Sequence, residues 1–239
     1  MKIAIIGYGK MGKAIENIAL SHLHQIVLKS NAVDAIYLSE QLQNSQADAA
    51  IEFSNPASAL QNVQTCFRAN IPVVSGTTGW LTGLEQAKAD CLRQKGAFFY
   101  APNFSIGVNL FFLLNEKFAH IMSAYPSYET KITETHHTQK LDSPSGTAIT
   151  LGQSMVDILP NKQKWVSQAV ENSNEIPIIS HRIDQVLGTH SVEYFSPIDT
   201  IEIKHTAHSR DGFAQGAVVA AEWIIGKQGY FEMKDMLKI

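Results

Sequence analysis

Cysteine is nearly absent from this 239-residue chain: there are only Cys66 and Cys91, at no spacing that could frame a metal site or a disulfide scaffold. Both read as buried packing residues of a protein kept in a reducing cytoplasm. Long apolar runs are missing too. The opening Met1-Lys-Ile-Ala-Ile-Ile-Gly7 has too short an apolar run for a signal peptide or a membrane span, and no later stretch is long enough either, so no membrane partner is expected. Nor is there a basic excess. With 19 Lys and Arg against 22 Asp and Glu, the formal charge is -3, which leaves nucleic acid no electrostatic footprint. Like-charge tails, repeats and low-complexity tracts are also lacking. Nine histidines occur, but no His-Glu-x-x-His or His-x-x-Glu-His run, so no metal is expected.

What the chain does have is alternation. Strand-like Ile3–Ile6, Gln25–Leu28, Ala49–Phe53, Pro72–Val74 and Ala97–Tyr100 are separated by helix-like Met11–Leu20, Asp34–Leu42, Ala57–Ala69 and Leu81–Lys95. That order predicts an α/β fold with a parallel, doubly wound sheet whose ligands bind beyond the carboxyl ends of the strands. The turns at that edge are Gly7-Tyr-Gly, Glu52-Phe-Ser-Asn-Pro56, Ser75-Gly-Thr-Thr-Gly79 and Ala101-Pro-Asn-Phe104, whose small residues let a ligand approach the backbone. The pattern then changes. A helix is predicted over Val108–Ala119, a half-buried strand over Tyr128–Thr135, and a helix over Thr147–Leu159. Strands follow over Ile176–Arg182, Gly188–Ser196 and Asp199–Thr206, then a final apolar helix over Ala214–Ile225. This is an α+β block of antiparallel character.

Gly7-Tyr8-Gly9-Lys10-Met11-Gly12 lies between the first strand and the first helix. In that setting the first glycine allows the tight turn, the second admits a pyrophosphate, and the third lets helix and strand pack closely. A cofactor with a free ribose 2′-hydroxyl usually meets an acid at the end of the second strand. Here that strand ends in Lys29 and Ser30, which could contact a 2′-phosphate, with Lys10 assisting; this favours NADPH over NADH.

The segment Glu134-Thr-His-His-Thr-Gln-Lys-Leu-Asp-Ser-Pro-Ser-Gly-Thr147 carries the chemistry. His136 and His137 would face opposite sides of a strand, so a strand ending here would let a loop present them with Lys140. Imidazole exchanges protons near neutrality, and lysine supplies positive charge or, in a dry site, a proton. Pro144-Ser145-Gly146-Thr147 falls where a helix begins, with proline expected at the first helical position; exposed N–H groups and a hydroxyl there would hold a carboxylate. Capping by Asp142 or Ser143 is the alternative. On these grounds alone the chain is expected to be an NADPH-dependent reductase of a small anionic substrate.

These segments, with Ala101-Pro-Asn-Phe-Ser-Ile-Gly-Val-Asn109 and His208-Ser-Arg-Asp-Gly-Phe213, resemble the dihydrodipicolinate reductase family over nearly the full length and in its order. The resemblance implies a Rossmann-type nucleotide domain, residues 1–104 and 214–239, around an inserted α+β substrate and oligomerisation domain, residues 105–213, in a homotetramer. It implies reduction of the cyclic dicarboxylate 4-hydroxy-tetrahydrodipicolinate by NAD(P)H, with loss of water, in lysine and diaminopimelate biosynthesis. His136 would be acid/base and Lys140 the proton donor. His137, Ser145, Gly146 and Thr147 would hold substrate. Phe53, Gly76, Thr77, Thr78, Ala101, Pro102, Asn103 and Phe104 would join the glycine loop in lining the coenzyme, and Arg210 and Phe213 would fall at the hinge. The chain departs from the family in its shorter glycine loop and in Lys29-Ser30. Two other readings predict different behaviour: a related amino-acid dehydrogenase would not need the His-His-x-x-Lys segment, and a nucleotide sensor would bind coenzyme without turnover.

Overall fold

A computed structural model describes residues 1–31, 35–167, 172–209 and 211–238. It divides into two compact units, Met1–Ile106 with Asp211–Ile239, and Gly107–Arg210.

In the first unit, β1 (Lys2–Ile6), β2 (Gln25–Ser30), β3 (Ala49–Glu52), β4 (Val73–Ser75), β5 (Ala97–Tyr100) and β11 (Gly229–Phe231) form one sheet in the order β11-β5-β4-β3-β1-β2. Every pairing is parallel. The helices are α1 (Lys10–Ser21), α2 (Ala35–Ser45), α3 (Pro56–Arg68), α4 (Leu81–Arg93), α7 (Asp211–Ile224) and the short α8 (Met233–Leu237). Successive strand residues point to opposite faces, so β1 feeds two cores. Ile3 and Ile5 pack with α1 and α7, while Ala4 and Ile6 pack with α2 and α3. Burial on both faces explains why these strands are continuous apolar runs and not alternating ones. Strand order turns back between β1 and β3, which opens a crevice at their carboxyl ends.

The second unit holds α5 (Ile106–Met122), β6 (Glu129–His136), α6 (Gly146–Ile158), β7 (Lys164–Val166), β8 (Glu175–Arg182), β9 (Thr189–Phe195) and β10 (Thr200–Thr206). Its sheet runs β10-β9-β6-β8-β7. It is mixed: β9 pairs antiparallel with β10 and β6, and β8 pairs parallel with β6 and β7. Phe118, Ile132, Leu151, Met155, Ile178 and Tyr194 lie in its core.

The elements expected from the sequence are present, with shifted ends. Asp34, placed in the second helix from sequence, lies outside the described residues. Three elements were not anticipated, β7, β11 and α8, each five residues or shorter. One shift matters for the site. Strand β6 runs one residue past Thr135, so His136 belongs to the strand and His137 begins the loop.

Gly216 on α7 packs directly against the turn after β5: a Cβ there would sit 1.8 Å from the Phe104 carbonyl oxygen. Backbone cannot rotate away as a side chain can. Gly216→Ala should therefore lower stability by about 1–3 kcal/mol, as overpacking does. A urea midpoint equal to that of the wild type would show that the contact is slack.

Candidate active site

The alternation in β6 decides what faces inward. Thr130, Ile132, Glu134 and His136 are the buried positions. Glu134 is fully buried, and a carboxylate there is costly unless donors surround it. They do. The Ser145 N–H donates to both of its oxygens at 3.1 Å, the Ser180 hydroxyl donates at 2.8 Å, and the Arg182 guanidinium lies 3.4 Å away. His136 Nδ1 and His190 Nε2 lie 3.5 and 3.7 Å from the same carboxylate. Burial alone would raise the Glu134 pKa; the bonds from His190, Ser145 and Ser180 overrule it and hold the group well below the carboxylate range.

His136 is 7% exposed, and its ring centroid is 5.0 Å from that of His190. Burial first, then the charges of His190, Lys140 and Arg182, push its pKa down to about 4 against the pull of Glu134. At neutral pH it is therefore an uncharged imidazole. Gly188 lies against it: a Cβ there would come 3.3 Å from His136 Nε2. Lys140 is on the following loop, where its ammonium donates to both Asp142 oxygens at 2.8 Å. Arg182 fastens that loop, donating to the Asp142 carbonyl at 2.5 Å and to the Lys140 carbonyl at 3.3 Å. His137 is half-buried at the start of the loop.

Helix α6 starts at Gly146, one residue before the expected Thr147 and two after the proline expected at its first position. Ser145 is its N-cap, accepting from the Ala148 N–H, so Pro144 precedes the helix and neither Asp142 nor Ser143 caps it. Ser145 is committed to Glu134, Ala148 and His190. Among the described residues, the Gly146 and Thr147 N–H groups and the Thr147 hydroxyl make no such bond. A Cβ on Gly146 would meet nothing within 4 Å. That leaves an open helix N-terminus able to accept a carboxylate. Glu134, His136 and His190 could also offer three metal-ligand atoms within 4.8 Å of one another. The carboxylate is already saturated, and the adjacent guanidinium opposes a second cation.

The first unit carries the glycine loop. Gly7 has φ +93°, and a Cβ on it would lie 2.0 Å from the Phe53 carbonyl oxygen. A Cβ on Gly12 would lie 2.4 Å from the Gly7 carbonyl oxygen, whereas around Gly9 nothing lies within 4 Å. The N-terminus of α1 has neither a side-chain cap nor an acid in its first turn. This tight, open, uncapped cradle fits a dinucleotide pyrophosphate, and a cleft of about 270 Å³ adjoins it between Gly7, Gly9, Asn31 and Ser54. Lys10 is exposed at the start of α1, and Met11 turns into the core.

Several expected contacts are redirected. Ser30 is 3% exposed and its hydroxyl donates to Gln41, so it does not reach toward a phosphate. Lys29 is paired with Glu16 at 2.5 Å. The Thr77 hydroxyl points inward, accepting from the Ser54 N–H and donating to Glu52. Thr78 and Pro102 remain exposed and Asn103 half-buried. The Phe53 ring stacks near Phe104 at 5.7 Å and fills the space that a Cβ on Gly76 would need. Ala101 is buried beside them. Phe213 lies in the first turn of α7, and Arg210 is outside the described residues.

Sequence reasoning missed Glu134, Ser180, Arg182 and His190 around the imidazole, and Glu16 and Glu52 at the coenzyme edge. The period-two burial of β6 carried a signal for Glu134. The others come from distant segments, so spacing could not find them.

Two family models match the chain: dihydrodipicolinate reductase N-terminus over residues 1–104, and dihydrodipicolinate reductase C-terminus over residues 107–237. A 4-hydroxy-tetrahydrodipicolinate reductase from Christiangramia forsetii is 49% identical over 237 residues, 99% of this chain and 98% of that one. Another, from Laribacter hongkongensis, is 36% identical, covering 80% of this chain and 73% of its own length. A solved dipicolinate-bound dihydrodipicolinate reductase from Paenisporosarcina sp. TG-14 shares the fold, with TM-score 0.78, 23% identity and 97% coverage of both chains.

The low pKa of His136 fixes a pH dependence. Its folded value, about 4, lies below its ordinary 6.5, so proton uptake favours the unfolded chain. The stability it contributes is complete above pH 6.5 and is lost as pH falls toward 4. Glu134, also lowered, adds a loss below its ordinary 4.5. Urea midpoints taken from pH 8 downward should fall through this window, and His136→Gln should make the fall shallower. A mutant with the same slope as the wild type would contradict the burial argument.

Proposed function

The chain belongs to the dihydrodipicolinate reductase family, and on that premise we propose how its own residues carry out the family's reaction, the NAD(P)H-dependent reduction of 4-hydroxy-tetrahydrodipicolinate to tetrahydrodipicolinate. The observation that carries the proposal is the convergence, in one unit, of an uncharged buried imidazole, a loop ammonium and an open helix N-terminus. A sensor would need none of the three, and an amino-acid dehydrogenase would not need the His136–Lys140 segment.

One substrate carboxylate docks on the Gly146 and Thr147 N–H groups and the Thr147 hydroxyl, with Ser145 held in place as the cap behind them. His137 contributes at the loop entrance. Lys140 supplies positive charge to the dicarboxylate and the proton that the ring gains with the hydride, while the 4-hydroxyl leaves as water with a proton that His136 relays from the neighbouring ring carbon. The Asp142 carboxylate, held low chiefly by its bond from Lys140, keeps that ammonium in place until substrate competes for it. His136, neutral at working pH, accepts or relays a proton at a ring nitrogen; it does not store one. That divides the work between the two: Lys140 donates, His136 serves as base and orienting partner. Bound NAD(P)H supplies the hydride. In the first unit, the Gly7–Gly12 turn and the N–H groups at the start of α1 would hold its pyrophosphate, and Phe53, Gly76, Thr78, Ala101 and Pro102 would line the nicotinamide.

Lys29, which a 2′-phosphate would have to draw away from Glu16, is the cation nearest that place, and we take NADPH as the coenzyme with NADH also used. Among the described residues no helix is long and apolar enough to cross a membrane, and both cysteines are free and buried. A reducing cytoplasm accords with this, and a homotetramer is the assembly we assign.

Turnover is followed as loss of reduced-nicotinamide absorbance, with substrate made in place from pyruvate and aspartate semialdehyde by a coupling synthase. His136→Gln and Lys140→Ala should each lower kcat about 100-fold or more. Full activity in either would remove that residue from the chemistry. Thr147→Val should raise the substrate KM more than it lowers kcat, and an unchanged KM would move the carboxylate elsewhere.

A further inference from the structure

The dinucleotide fold ordinarily places an acid at the end of the second strand to accept from the ribose 2′-hydroxyl. Strand β2 has none, yet a carboxylate reaches that place from the neighbouring helix. Glu16 on α1 lies with Oε1 2.5 Å from Lys29 Nζ, and its other oxygen accepts from the Tyr8 hydroxyl. Lys29 Nζ also sits 5.0 Å from the centroid of the Tyr8 ring. Glu16 is only 15% exposed in its side chain and Lys29 43%, so the acid is the fixed member of the pair. Parallel pairing of β1 with β2 sets Lys29 opposite Ile5, two residues before Gly7, and Tyr8 is the middle residue of the Gly-Tyr-Gly turn. Lys29, Tyr8 and Glu16 thus form one cluster beside the glycine loop, on the α1 side of the strand. Ser30, the next residue, points to the opposite side and bonds Gln41.

We infer that Glu16 sets the coenzyme discrimination of this chain: by engaging Lys29 and presenting a negative charge beside it, it admits a ribose 2′-hydroxyl and restrains selection for a 2′-phosphate. The inference rests on the reading of the Gly7–Gly12 turn as the coenzyme site. A 2′-phosphate approaching Lys29 must compete with Glu16 for the ammonium and meets a like charge as it does so. A 2′-hydroxyl is a donor, and Glu16 is acceptor-only. An ion pair this close to the surface adds little to folding, so a purely structural role would leave nucleotide choice untouched.

The test is calorimetric binding of 2′,5′-ADP and 5′-AMP to the full chain at low salt, in wild type, Glu16→Gln, Glu16→Lys and Lys29→Ala. Glu16→Gln should tighten 2′,5′-ADP about fivefold or more while 5′-AMP stays within about twofold. Glu16→Lys should go further in the same direction, and Lys29→Ala should weaken 2′,5′-ADP selectively. The NADPH/NADH ratio of kcat/KM should move with the fragment affinities. A fragment ratio within about twofold of wild type in both Glu16 variants overturns the inference, even though nucleotide still binds. Wild type that binds neither fragment nor NADPH by fluorescence would instead overturn the coenzyme-site reading, and this inference with it.

Discussion

A single buried carboxylate, Glu134, organises the second unit. It sits on the inner face of β6 with no solvent to satisfy it, so every lone pair must be met from within. The donors that meet it come from three places: the N-cap of α6, β8 through Ser180 and Arg182, and β9 through His190. The consequences are chemical as well as structural. The same bonds that stabilise the anion place the start of α6, tie down the loop bearing Lys140, and set His136 beside a charge that only partly offsets its desolvation. Were Glu134 neutral, the helix end, the loop and the imidazole would lose their common reference.

The first unit uses the same device at Glu52. This residue ends β3, is fully buried, and accepts from Ser75 at 2.6 Å, from Thr77 at 2.9 Å and from the Ser54 N–H at 3.0 Å. It thereby joins the ends of β3 and β4, and Thr77 in turn accepts from the Trp80 indole through its carbonyl. The turns of this edge are rich in small residues and would be soft without such a tie. An acceptor-only group is suited to this task, because several loops can each send a donor to it without any of them needing to match another.

Much of this was legible in the residues. The α/β alternation followed from runs of apolar residues short enough to be strands and flanked by Gly, Pro and Asn. Gly7 and Gly12 were legible through position, since at each a Cβ would strike neighbouring backbone. The His136–Thr147 segment was legible because its chemistry is contiguous. What stayed hidden is what contiguity cannot carry. Arg182 and His190 lie more than forty residues from Glu134 and meet it only because β8 and β9 flank β6. Ser30 read as a phosphate ligand, but strand parity turns it inward. Nothing in the sequence singled out Glu16, which meets Lys29 only through packing. Strands of three residues, such as β7 and β11, have too few positions for a period to emerge.

The last segment of the first unit has a further consequence, for the order in which the protein is made. Helix α7 supplies Ala214, Ala217, Val218, Ala221 and Ile224 to the core around β1, and β11 completes the edge of the sheet beside β5. Nearly half of that core is therefore still untranslated when the first five strands have left the ribosome. The second unit, drawn from one continuous stretch, can close as it emerges. On a translating ribosome the face of β1 to β5 that packs on α2, α3 and α4 has its core residues early, whereas the face that α7 covers must wait until residues past 210 arrive.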